Sequence, residues 1–206
     1  AEGLIVLDKS GKNFINKNFC FNKPLEVIST STNVDKYKIK SKNKKDSCIK
    51  FVYLGGVSYP PYRIEDALIF LKFLNKLGFE CEIDFINKNE HKKITDCLEK
   101  EKVNNININI LSLDHDEIFE VLPNYHIGLV FLEKGKWLKM SSPTKIGEYL
   151  AAGLGIIGNK GIAVLDRLSK ESESKQIDLY DYIRLVISTL IDAAIIILLG
   201  YTLRQI

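Results

Sequence analysis

Four side chains in one short stretch have the types and spacing to hold an anion and the hydroxyls beside it. They are Ser142, Thr144, Lys145 and Glu148, within Ser141 to Gly161, SSPTKIGEYLAAGLGIIGNKG. The stretch reads as a helix with defined ends. Ser142 is placed to cap, Pro143 sits at the first helical position where its missing N–H costs nothing, and Gly153 closes the far end. No carboxylate occupies the first turn, so open backbone N–H groups, a positive dipole end, the Thr144 hydroxyl and the Lys145 ammonium together suit a phosphate. One turn further on, Glu148 is positioned to accept hydrogen bonds from hydroxyls next to that phosphate.

Other strings offer chemistry that their contexts weaken. Gly153 to Gly158 matches G-x-G-x-x-G, the fingerprint of an NAD(P)-binding oxidoreductase. That fingerprint should follow a strand and open a helix. Here it follows a helix and contains a strand, so Gly153 is better explained as a helix stop. Asp114-His115-Asp116 has the D-x-D form that holds a divalent ion on a nucleotide sugar, yet Asp114 with Glu117 three residues on also forms a capping box. The capping reading is preferred, because no further carboxylate converges on the pair. The Leu132 to Met140 loop, with Glu133, Lys134, Lys136, Trp137 and Lys139, is either functional or a solvated connection.

Composition excludes several classes. The chain has 206 residues, 27% of them charged, and a net charge of +3. That balance does not suggest nucleic acid, which calls for a basic face interleaved with aromatics. Its clustered lysines, Lys36 to Lys50, read as a solvated linker. The four cysteines lack C-x-x-C spacing and the three histidines are scattered, so no metal is expected and a reducing, cytoplasmic compartment is. The apolar run within Ala1 to Leu7 is too short for a secretory signal and has no basic region before it, so none is expected. The chain opens without a Met on a strand-like run and is expected to be a fragment of something longer.

These residues need a scaffold, and the rest of the chain supplies one. Gly3 to Leu7 and Leu25 to Ser29 read as strands, with a weak helix from Lys9 to Phe19 between them. After the linker a regular alternation begins. Strands are predicted over Ile49 to Leu54, Phe79 to Ile86, Ile106 to Leu111, His126 to Leu132 and Gly155 to Gly158. Helices are predicted over Glu65 to Leu77, with a stripe through Leu68, Leu71 and Phe73, and over Glu90 to Lys102, Asp114 to Leu122 and Pro143 to Ala152. This is an α/β pattern, a Rossmann-like parallel sheet with helices on both faces. Ligands bind such sheets beyond the carboxyl ends of the strands, where Gly55-Gly56, Ser112-Leu113 and the opening of the Pro143 helix would lie. Ser169 to Gln176 is polar. Ile183 to Leu203 is apolar and reads as a C-terminal helix, buried or in contact with a membrane, with Asp192 arguing against a full span.

The string SPTKIGEYLAAG resembles the nucleotide-sugar-binding helix of GT-B glycosyltransferases of the family-4 group. KPLEVISTSTNVDKY resembles their interdomain hinge, FVYLGGVS their opening strand and phosphate loop, and VLPNYHIGLVFL the strand before the donor site. The likeness covers roughly Ala1 to Asp166. It implies residues 1–35 as a remnant of the acceptor-side domain and hinge, 36–48 as linker, 49–168 as the donor-binding domain and 169–206 as a separate tail. It further implies that Glu148, the second acid of the family's E-x7-E motif, takes the ribose hydroxyls of the donor. Ser142, Thr144 and Lys145 would hold the diphosphate, and Gly55 and Gly56 would let the backbone approach it. The first acid falls at Met140 and is absent. The family's Arg and Lys after the glycine loop are not in place, with Arg63, displaced by an insertion at Pro60-Pro61, the candidate substitute. His126 stands where Asp is common. The implied chemistry is metal-independent transfer of a sugar from a nucleoside-diphosphate sugar, in surface polysaccharide or glycan synthesis, at or near the inner face of the cell membrane. Most of the acceptor-side domain is missing, so no catalytic base is named.

Overall fold

The computed structural model describes residues 2–39, 48–58, 61–103, 105–133, 135, 138, 140–173 and 194–197. Two sheets organise them. In the smaller, β1 (Leu4–Val6) and β2 (Leu25–Val27) pair in parallel, joined by α1 (Lys9–Asn18). Asp8 caps α1 by accepting the Ser10 amide at 2.8 Å, and its carboxylate lies 3.6 Å from Arg167.

The larger sheet contains β3 (Ile49–Leu54), β4 (Cys81–Ile86), β5 (Asn107–Leu111), β6 (Ile127–Val130), β7 (Gly155–Asn159) and β8 (Ala194–Ile197), in the order β5-β4-β3-β6-β7-β8. The first five run parallel, as the alternating strand and helix pattern requires, and β8 joins β7 antiparallel. The order reverses between β3 and β6, and that switch point opens a crevice beyond their carboxyl ends. The helices are α2 (Ile64–Lys76), α3 (His91–Glu101), α4 (His115–Val121), α5 (Thr144–Ala151) and α6 (Ala163–Glu173). One core packs α2 and α3 against Phe51, Tyr53, Ile83, Phe85 and Leu129. The other packs α4, α5 and α6 against Val52, Leu54, Ile86 and Ile156. Both faces of the central strands are therefore dry, which explains their near-continuous apolar runs.

Several expectations change. The α2 stripe runs through Ile64, Ala67, Leu68, Phe70 and Leu71, with Phe73 only partly covered. α6 crosses the expected boundary at residue 168, because Leu165 packs into the core while the polar residues after it continue the same helix. Within the tail expected to be helical, Ala194–Ile197 is a strand, consistent with the preference of its β-branched isoleucines for a pleated surface. The remainder of Ile183 to Leu203 lies outside the described residues, as do most of the linker, Pro60, Lys134, Lys136, Trp137 and Lys139. Among the described residues no helix is long and apolar enough to cross a membrane.

The G-x-G-x-x-G string runs from a helix stop into β7, the reverse of what a dinucleotide fingerprint needs. Gly153 takes a left-handed φ of +72°, as a helix-terminating glycine does. Gly158 has a different reason to lack a side chain. An added Cβ would collide with the Val130 carbonyl oxygen of the neighbouring strand and come within 2.7 Å of Leu165.

Candidate functional site

The glycine loop leaves β3 with Gly55 at φ +98°, a conformation that favours glycine. Two residues beyond β4 help hold the loop. The Asn87 side-chain amide donates to the Gly55 carbonyl at 3.0 Å and to Glu90 Oε2 at 3.0 Å. Glu90 in turn accepts the successive amides of Val57, at 2.7 Å, and Ser58, at 3.0 Å. Hydrogen bonding from the Ser58 side chain, with further help from the Val57, Asn87 and Ser58 donors, holds the Glu90 carboxyl down at about 2. A carboxylate depressed in this way contributes above the ordinary carboxylate range, and its contribution fades as pH falls toward that value. Glu90→Ala is expected to leave the fold standing and to speed amide exchange at Val57 and Ser58 by roughly tenfold. Unchanged exchange by NMR would show that the brace holds nothing.

On the other side of the crevice stands α5. Its cap is Pro143, one position later than expected, and no side chain caps it. The Ser142 hydroxyl is instead 2.9 Å from that of Thr30, which donates to the Ser142 carbonyl or shares the hydroxyl pair. The expected Ser142 cap is therefore lost to a contact from 112 residues away. Thr144 is exposed and Lys145 buried, so the first turn offers amides and a hydroxyl outward and an ammonium inward.

Lys145 is the unusual member of the group. It is only 5% exposed, and no carboxylate lies within ion-pair distance of it among the described residues. Its Nζ lies 4.5 Å from the centre of the Tyr53 ring and 4.7 Å from that of Tyr62. A Cβ added to Gly55 would be 3.6 Å from the same atom. Burial drives its pKa down to about 7, with Glu148 opposing from one turn away. Glu148 is half-buried, and burial raises its carboxyl while His115 and Lys145 pull it back.

A cavity of about 420 Å³ opens beside the glycine loop, lined by Gly55, Gly56, Asn87, Glu90, Leu113 and His115 among others, with no residue of α5 in its wall. Gly55 and Gly56 line the cavity, Lys145 meets the loop at Gly55, and Glu148 is tied to the cavity's His115 and to Lys145 through charge, while Ser142 and Thr144 stay at the start of α5 outside the cavity wall. Arg63 is not drawn in: its guanidinium turns to Asp66 at 3.2 Å and Glu65 at 3.9 Å on its own helix. Asp114 and Glu117 form the capping box of α4, and Asp114 also meets Lys88 at 2.7 Å. Among the described residues no group of three or more His, Cys, Asp or Glu side chains could hold a metal ion. His126 sits just before β6 at the amino ends of the strands, away from the crevice, its Nδ1 accepting the Lys50 amide at 3.0 Å. Asn87, Glu90, His115, Tyr53 and Tyr62 were not anticipated as parts of the site. The available signal was position: Asn87 follows the last residue of a parallel strand, where ligand-facing side chains gather.

The sheet order, the glycine turn after the first strand and the helix entering at the switch point define a Rossmann-like fold matching one half of a GT-B glycosyltransferase. Among solved structures the chain is similar to sucrose-phosphate synthase from Thermosynechococcus elongatus, at TM-score 0.51 and 10% identity over 77% of this chain and 40% of that one. It is also similar to the pneumococcal O-GlcNAc transferase GtfA in complex with UDP and GlcNAc, at TM-score 0.50 and 12% identity over 78% of this chain and 30% of that one. The chain therefore spans well under half the length of either. No protein-family model and no curated protein sequence matches it.

Proposed function

We propose that this chain is the donor-binding part of a glycosyltransferase that uses a nucleoside-diphosphate sugar. The observation that carries the reading is the buried ammonium of Lys145, without a carboxylate partner among the described residues, set between a glycine loop and the uncapped start of α5. A desolvated cation beside open amides favours an anionic ligand, and a diphosphate would supply the charge that the protein leaves out. In this reading Lys145, Thr144 and the amides of α5 receive the charge that develops on the departing nucleoside diphosphate, an electrostatic contribution that needs no metal. Glu148 takes the ribose hydroxyls. Gly55 and Gly56 let the backbone come close to the diphosphate, with Ser142 at the margin and Arg63 left to its own helix. The acceptor would come from a second domain, of which residues 1–35 form the border, and the product would belong to a surface polysaccharide or glycan. The fold neighbours are glycosyltransferases, and GtfA was captured with UDP and GlcNAc.

Calorimetric titration of UDP, GDP and ADP into this chain and a Glu148→Ala variant tests the reading. At least one diphosphate is expected to bind, and Glu148→Ala to weaken it by roughly tenfold, the worth of a charge-assisted hydrogen bond to the ribose. Equal affinity in the two proteins would remove Glu148 from the ribose. No binding by any of the three would remove the donor reading.

A further inference from the structure

The two rings beside Lys145 stand where an ion-pair partner would be expected. A buried ammonium ordinarily has a carboxylate close by, because leaving water costs more than any neutral surroundings return. Here the Tyr53 and Tyr62 ring centres lie 4.5 and 4.7 Å from Nζ, within the range of a cation–π contact. Neither contact is incidental to the fold. Tyr53 is fully buried in β3, and Tyr62 is held by a bridge to Leu132, with the adjacent Arg63 amide donating to the Phe131 carbonyl at 3.1 Å. The glycine loop lies directly against both partners. A Cβ on Gly56 would meet the Tyr62 ring at 3.6 Å, and one on Gly55 would meet Nζ at the same distance.

We propose that Tyr53 and Tyr62 form an aromatic clamp that holds the Lys145 ammonium against the glycine loop. Tyr62 is a positioning residue that acts on the anion through Lys145. The clamp rests on the reading that Lys145 meets the diphosphate, and it adds how a cation is kept there without a carboxylate that would compete for it. A carboxylate at ion-pair distance would neutralise the ammonium and repel the ligand. An aromatic face stabilises the charge and leaves it available. The charged or titratable groups that face this arrangement are Glu148 on α5, acting on Lys145, and Glu65 and Glu90, acting on Tyr53.

The test changes the π-face and keeps the shape. The full chain is prepared as wild type, as Tyr62→Phe, and with a trifluorinated phenylalanine at position 62. The titration midpoint of Lys145 Nζ is followed by NMR without ligand, and UDP affinity by calorimetry at pH 7. Tyr62→Phe is expected to keep the wild-type midpoint and affinity within about twofold, while the fluorinated ring lowers the midpoint and weakens UDP roughly tenfold. Equal midpoints for the plain and fluorinated rings would overturn the clamp, whatever UDP does. A midpoint that follows fluorination in a chain that does not bind UDP would uphold the clamp and remove the donor reading instead.

Discussion

Lys145→Met is expected to make the protein more stable at pH 6 and to weaken its hold on a nucleoside diphosphate. The stabilisation follows from the direction of the lysine's displacement. Its pKa in the folded chain is about 7, against 10.5 for an unperturbed lysine. Between those values the unfolded chain holds a proton that the folded chain has released, so stability rises with pH across that window. Below about 7 the folded protein carries the whole cost of a buried ammonium. Methionine keeps the length of the side chain and removes the charge, and should raise stability by roughly 2 kcal/mol at pH 6. The gain should shrink as pH approaches 10, which urea unfolding at two pH values would show. Loss of the cation should weaken UDP at least tenfold, on the order of the worth of a charged hydrogen bond. A variant that is less stable at both pH values and binds UDP normally would place the ammonium outside any anion site.

The second large effect concerns a glycine with an ordinary backbone. Gly128 lies in the middle of β6, and an added Cβ would overlap the Tyr149 ring of α5. Tyr149 has nowhere to retreat. It is fully buried, and its hydroxyl accepts the Leu54 amide at 2.9 Å. Gly128→Ala is therefore expected to cost about 3 kcal/mol, and to be relieved by Tyr149→Leu, which clears the ring at the expense of that hydrogen bond. Thermal melts of the single and double variants measure both. Additive losses would mean that the strand moves rather than the ring.

Much of this architecture was legible before any coordinates. β3 falls at the bounds that its apolar run predicts, and α5 differs by one residue at each end, because Pro143 and Gly153 act through local backbone geometry. Lys145 reaches the Gly55 turn at the end of β3, its Nζ 3.6 Å from where a Cβ on Gly55 would stand. What was not legible depends on partners distant in sequence. Nothing near Ser142 announces that Thr30 will take its hydroxyl, and nothing near Tyr62 announces a lysine. Glu90 looked like an ordinary helix opening because its acceptor role is spent on amides 32 and 33 residues earlier. β8 was missed for another reason: an apolar run offers no periodicity by which to tell a strand from a buried helix.

The hydroxyl pair between Thr30 and Ser142 makes the entry of α5 a mechanical joint. Thr32 lies nearby, its methyl group 3.5 Å from where a Cβ on Gly147 would stand. A displacement of the segment after β2 would reach the turn that carries Thr144 and Lys145 through this pair. Close-packed contacts transmit such a push with little loss. If that turn holds a diphosphate as proposed, the smaller sheet and the grip on the ligand would be linked through one pair of hydroxyls.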